Sequence, residues 1–227
     1  MYLYIKQGVL LIEKKVILVH GYNKNQKDMI SLKNNLEKLG YSGTLVTLPL
    51  TFKKIEYCTS LFKEKVEKII SNLDKNEKIS LIGHSTGGLI IRHFLSNTGY
   101  IHKINRCVLI ATPNHGSKLA AIAANLSTTF IRIFKTLGSL HPDNINRLEF
   151  KDIKTVEVGA IAGNKRNLLL GRILAKENDG RVQVNSVKYS GLKDFIILPY
   201  GHKEIHHQFK TAELVDSFLR NGKFKED

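Results

Sequence analysis

In "LIGHSTGGLI", residues 81–90, an apolar run ends in a histidine and a serine ringed by glycines at 83, 87 and 88. Ser85 lies at the centre of G-x-S-x-G, where a strand would turn sharply into a helix with no bulky side chain around the hydroxyl. A serine hydroxyl is a weak nucleophile at neutral pH, so this placement calls for a base and for a group that orients the base. A glycine-rich strand-to-helix turn also suits a phosphate at a helix N-terminus. The phosphate reading lacks a lysine after the last glycine and the dinucleotide spacing.

On an α/β scaffold the partners follow in the order serine, acid, histidine, at the ends of later strands. Asp179 in "ENDGRVQVNS" and His202 after "FIILPYG" satisfy that order. Asn178-Asp179-Gly180 is equally a turn signal. The rival acids Asp152 and Asp194 both precede strands, at the wrong end of a sheet. For the base the rivals are His206 and His207, and "GHKEIHHQ" also reads as a metal cluster with His202 and His206 four apart. Gly201 and the preceding strand argue against a regular helix there, and the stretch is not H-E-x-x-H. The oxyanion formed on attack needs two preorganised donors. Thr86 N–H follows the nucleophile, and Tyr22 N–H belongs to "VHGYNKN", where Gly21 lets the backbone come close and His20 packs beneath.

Parallel strands joined by crossover helices would position these groups. Strands are expected at 16–21, 43–50, 78–85, 107–112, 155–163 and 195–201, several of them nearly continuous in apolar residues, as strands covered on both faces are. Met29, Leu32, Leu36 and Leu39 mark a helix ending at Gly40. Phe62, Val66 and Ile69 mark a second, and a third runs on from Gly88. The pattern predicts a three-layer α/β/α sandwich with a mostly parallel central sheet, as one domain over residues 1–227. Residues 117–150, long, helical and apolar in their first half, read as a helical cap over the strand ends, where open α/β sheets bind ligands.

The chain has 227 residues, 42% hydrophobic and 24% charged, a globular balance. Its two cysteines cannot build a disulfide framework, and Cys107 opens an apolar run. The N-terminal apolar pieces are broken by Lys6, Glu13, Lys14 and Lys15 and fall short of the ~20 apolar residues of a membrane span. A cytoplasmic location is the expectation. The net charge of +15 is spread among glutamates, without an arginine-rich block or a nucleic-acid-binding motif. It reads as a solvated basic surface, with transient attraction to an anionic membrane surface as the functional alternative.

"VILVHGY", "LIGHSTGGLI", "ATPNHGS" and "NDGRVQVNS", followed by "LPYGHKEIHHQ" and a terminal "FLRNGKF", in that order over about residues 16–224, resemble the α/β-hydrolase superfamily, and within it the small lipase-like and esterase-like serine hydrolases. The resemblance implies Ser85 as nucleophile, Asp179 as acid and His202 as base, with oxyanion donors at Tyr22 and Thr86. It also implies that Gly21, His84, His115 and Ser117 border the substrate. The implied activity is hydrolysis of small-molecule or lipid carboxylic esters through an acyl-enzyme, without metal or organic cofactor. A catalytically silent binding module for lipid or protein, and a thioesterase or acyltransferase using the same triad, are the alternatives. Oligomeric state is not written in the sequence.

Overall fold

A computed structural model describes residues 5–6, 9–10, 14–151, 154–174 and 176–225. Asp152, one of the rival acids, lies outside the described residues. A short antiparallel ribbon, β1 (Ile5–Lys6) with β2 (Val9–Leu10), precedes the main sheet. That sheet contains β3 (Lys14–Val19), β4 (Tyr41–Val46), β5 (Ile79–His84), β6 (Ile104–Ile110), β7 (Glu157–Gly163) and β8 (Asp194–Leu198). The strands lie side by side as β4-β3-β5-β6-β7-β8, and every adjacent pair runs parallel.

The two-residue side-chain period of a strand explains the layers. Ile17 and Val19 of β3, Leu81 of β5 and Leu109 of β6 share one core with α2 (Ile55–Ile70) and α3 (Thr86–Asn97). Val16, Leu18, Ile82 and Val108 share the other with α1 (Ile30–Lys38) and α9 (Phe209–Asn221). In the first core Phe62 and Phe94 meet edge to face, 5.3 Å between ring centroids. Each is fully buried, which stabilises the fold by about 1.5–3 kcal/mol per ring. The fold is thus a three-layer α/β/α sandwich on a parallel sheet.

All six expected strands are present, with shifted ends. β6 starts at Ile104, earlier than expected, because the polar Asn105 and Arg106 interrupt its apolar run while Arg106 pairs with Glu157 on β7 at 2.7 Å. β4 ends at Val46 because the chain beyond it leaves the sheet, where Leu48 N–H donates to the ring of His20. The segment between β6 and β7 is broken into four short helices, α4 (Lys118–Leu126), α5 (Thr128–Ile133), α6 (Lys135–Ser139) and α7 (Pro142–Asn146). Ser117 and Ser127 cap the first two by accepting from Ala120 and Phe130 N–H, and Pro142 starts the last. A further one-turn helix, α8 (Val184–Val187), follows the Asp179 turn.

Candidate active site

Ser85 sits between β5 and α3 with φ 53° and ψ −124°, in the left-handed region that costs a residue with a Cβ about 1–3 kcal/mol. The surroundings over-determine it. Ser85 N–H donates to Ile110 O at 2.8 Å, and Gly88 N–H to Ser85 O at 3.0 Å. The glycines are required by close approach: a Cβ on Gly83 would stand 2.5 Å from Gly88 N, one on Gly87 would run into the Val19 carbonyl, and one on Gly88 into the Thr112 side chain. This contact overrides the poor helix propensity of glycine, so α3 begins at Thr86 and not after the glycine pair.

His202 Nε2 lies 3.1 Å from Ser85 Oγ, and His202 Nδ1 lies 2.7 Å from Asp179 Oδ2. The carboxylate accepts, so the ring proton resides on Nδ1 and Nε2 is left to receive the serine proton. The other carboxylate oxygen, Asp179 Oδ1, accepts from the backbone N–H of Arg181 at 2.9 Å and Val182 at 2.8 Å. The turn signal at 178–180 and the carboxylate that meets His202 are therefore one feature: Asn178 pairs with Gln183 in a single bridge, and Asn178 Oδ1 accepts from Gly180 N–H. His202 N–H donates to Asp179 O at 2.8 Å, fixing the two loops to one another. All three side chains are buried, with Ser85 the most exposed at 7%.

On the opposite side of Ser85, Leu48 N–H donates to His20 Nε2 at 3.1 Å, which leaves the Nδ1 proton for Gly21 O at 2.9 Å. A trans peptide points its N–H away from its C=O. Holding Gly21 O therefore aims Tyr22 N–H in the other direction, and it has no protein acceptor among the described residues. Gly21 is the close approach here, since a Cβ would come 3.0 Å from Ser85 Cβ.

A cavity of about 420 Å³ opens beside Ser85 and His202. Leu119, Ile122, Leu126 and Phe130 of the helical segment wall it, with Val182 from the loop that carries Asp179. Ser117, expected to border the substrate, and Tyr22, expected as an oxyanion donor, also line it. His115 does not: its Nε2 meets Lys188 O at 3.0 Å and the ring faces outward, because the "ATPNHGS" loop is fastened to α8. Nor does His84, whose side chain lies under Ser85.

There His84 Nε2 meets His202 O at 3.1 Å, and its ring stacks on His206 with centroids 3.8 Å apart. His206 Nε2 is 3.3 Å from Asp28 Oδ2, and Lys24 is 3.0 Å from Oδ1. Burial pushes the Asp28 carboxyl upward, but His206 and Lys24 outweigh it and hold the group well below the usual carboxylate range. Nitrogen and oxygen atoms of Asp28, His84 and His206 lie within 4.8 Å of one another. An ion held by both imidazoles must sit in both ring planes, close to each nitrogen. With the planes only 25° apart, the lone pairs run side by side and do not converge. Neither Asp28 nor this stack is marked in the sequence by any spacing; His84 stood out only as a residue bordering the substrate, and His206 as a rival base and a metal-ligand candidate.

Burial, with His206 and His202 nearby, holds His84 well below the usual histidine value. Burial lowers His20 and His93 likewise. Below about pH 6.5 the unfolded chain then binds more protons than the fold, so stability falls as pH falls through that window. The urea midpoint is expected to be lower at pH 5.5 than at 7.5. The difference should shrink in His84→Gln, whose amide still reaches His202 O; an unchanged pH slope would contradict this account.

The chain matches the family described as "Putative serine esterase (DUF676)" over residues 13–136. It is 33% identical over 107 residues to "Putative methylesterase 14, chloroplastic" of Arabidopsis thaliana, covering 44% of this chain and 30% of that relative. The fold is similar to the propeptide form of the Bacillus licheniformis lipase BlEst2, with TM-score 0.81 and 21% identity over 91% of this chain and 50% of that one. The mature form of that lipase gives TM-score 0.74 and 19% identity, covering 92% of this chain and 91% of that one. This chain thus spans under a third of the curated relative and half of the propeptide lipase. Among the described residues no helix is long and apolar enough to cross a membrane. Because the family match spans more than half of the chain and contains the Ser85 turn, the chain belongs to the DUF676 family, described as "Putative serine esterase".

Proposed function

We propose that the protein hydrolyses carboxylic esters through a Ser85–His202–Asp179 triad and an acyl-enzyme. The observation that carries the proposal is the unbroken run of contacts from Ser85 Oγ through His202 to a buried Asp179. His202 takes the hydroxyl proton as Ser85 attacks the carbonyl, and Asp179 stabilises the imidazolium that results. Tyr22 and Thr86 N–H bind the oxyanion, with Gly21 giving the first room to do so. The proton on His202 passes to the leaving alcohol. A water then gives its proton to His202 and its oxygen to the acyl carbon, and Ser85 is restored.

Residues 117–150 act as a cap on a single catalytic domain, and the cavity under it receives the acyl chain. Its volume lies within the roughly 300–1,000 Å³ usual for ligand pockets, and its walls are aliphatic and aromatic. Medium or longer acyl chains are the substrates this favours. Leu126, Phe130 and Ile173 stand both on the cavity wall and in solvent. An apolar rim of this kind on a chain of charge +15 suits transient contact with an anionic lipid surface.

The test is a p-nitrophenyl ester series from two to twelve carbons, run on the wild type and on Ala123→Phe, which fills the cavity. The wild type is expected to prefer six carbons or more, and the variant to shift its optimum to shorter chains, losing roughly tenfold on the longest, the scale at which one methylene group matters. A wild type inactive on every ester would defeat the proposal.

A further inference from the structure

The cavity wall carries one charged side chain among the described residues, Arg181. Arg181 also borders a second, much smaller cleft of about 20 Å³, which meets the cavity at Ser85, Tyr22 and His202. Ser85 therefore stands at a junction, with an apolar chamber on one side and a polar cleft on the other. An ester bound for attack must send its acyl chain and its alcohol to opposite sides of the carbonyl carbon. If the acyl chain fills the apolar chamber, the alcohol goes to the polar side.

That side is cationic. Arg181, Lys203 and Lys24 line the cleft together with a single carboxylate, Asp28. Asp28 is already taken by Lys24 and His206. Neither Arg181 nor Lys203 has a carboxylate partner among the described residues. The cleft has room for about one water-sized group, so the alcohol lies across its mouth, within reach of both side chains. The backbone of Arg181 is pinned there because its N–H donates to Asp179 Oδ1. A planar guanidinium held at its root and unpaired at its tip is a site for a carboxylate or a phosphate, either of which it can bind through two parallel hydrogen bonds.

Resting on the esterase reading, we propose that Arg181, with Lys203, forms an anion subsite for the alcohol part of the substrate, and that the preferred esters carry a phosphate or carboxylate close to the scissile bond. The charged group is bound and not transformed; the bond that breaks is the acyl ester.

Octanoate release is measured from three esters below their aggregation concentrations: 1-octanoylglycerol, 1-octanoylglycerol 3-phosphate and the octanoyl ester of glyceric acid. The wild type is expected to favour a charged ester over the neutral one at least tenfold in kcat/KM, and the two charged arms distinguish phosphate from carboxylate. In Arg181→Gln that ratio should fall at least tenfold, with a partial fall in Arg181→Lys and in Lys203→Gln. Lys65→Gln, on the far exposed face of α2, controls for general charge and should keep the ratio. Salt at 0.5 M should depress the ratio in the wild type. A wild-type ratio near one, or a ratio indifferent to both Arg181 substitutions and to Lys203→Gln, overturns the subsite. Cleavage of p-nitrophenyl octanoate with none of the three esters cut overturns the subsite and leaves the esterase reading standing. Failure on p-nitrophenyl octanoate as well overturns both.

Discussion

Ser85→Ala is expected to lower kcat/KM for an octanoyl ester by roughly 10⁴-fold or more, the scale on which serine triads lose activity with their nucleophile. The fold should tolerate the change, since the backbone bonds to Ile110 and from Gly88 do not involve the hydroxyl. Ser85→Gly sharpens the test by separating chemistry from stability. Glycine relieves about 1–3 kcal/mol of strain at φ 53°, against about 0.5–1 kcal/mol of added chain entropy. The glycine variant should be as inactive as the alanine variant while melting a few degrees higher, since about 1 kcal/mol moves a domain of this size by 2–4 °C. Activity within tenfold of wild type in either variant would remove Ser85 from the mechanism. A lower melting temperature for Ser85→Gly than for Ser85→Ala would show that the turn stores no strain.

The second large effect concerns Asp179→Asn. Arg181 and Val182 N–H both point at Oδ1, so the asparagine must keep its carbonyl oxygen there and turn its NH₂ toward His202. Two donors cannot face each other, and the ring proton moves to Nε2, where it opposes the Ser85 hydroxyl. The base is then lost without loss of the fold, and kcat should fall by roughly 10⁴-fold. Far-ultraviolet circular dichroism and the melting temperature check that the variant is folded. A fall of less than tenfold in kcat would mean that Asp179 does not set the tautomer of His202.

The parts of the site legible in the sequence are those that local backbone chemistry creates. Ser85 was marked by glycines that have to be glycines because two backbones touch there, and the candidate acid and base were marked by position after successive strands. Asp179 looked like a turn residue because it is one. What escaped depends on contacts between distant segments. The stack of His84 on His206 over Asp28 joins three elements that no spacing relates, so His84 was expected at the pocket although it lies beneath Ser85. His115 sits in the expected loop but faces away, because α8 holds that loop from the other side. The 117–150 segment was visible as an apolar helical stretch; its division into four helices comes at Ser127, at Phe134, whose non-helical backbone separates α5 from α6, and at Pro142, signals that are small against the strong hydrophobic pattern.

The separation of the three side chains along the chain carries a consequence for renaturation. Ser85 and His202 are 117 positions apart, and Asp179 is 23 positions from His202. In a sheet whose strands are all parallel, each neighbouring pair forms only after a crossover has closed, and such long-range pairing is intrinsically slow. Ester turnover therefore returns only when β8 has docked and brought His202 to Ser85, after much of the helical signal is back. Regain of activity, followed beside circular dichroism after dilution from urea, serves as a clock for the last step of folding.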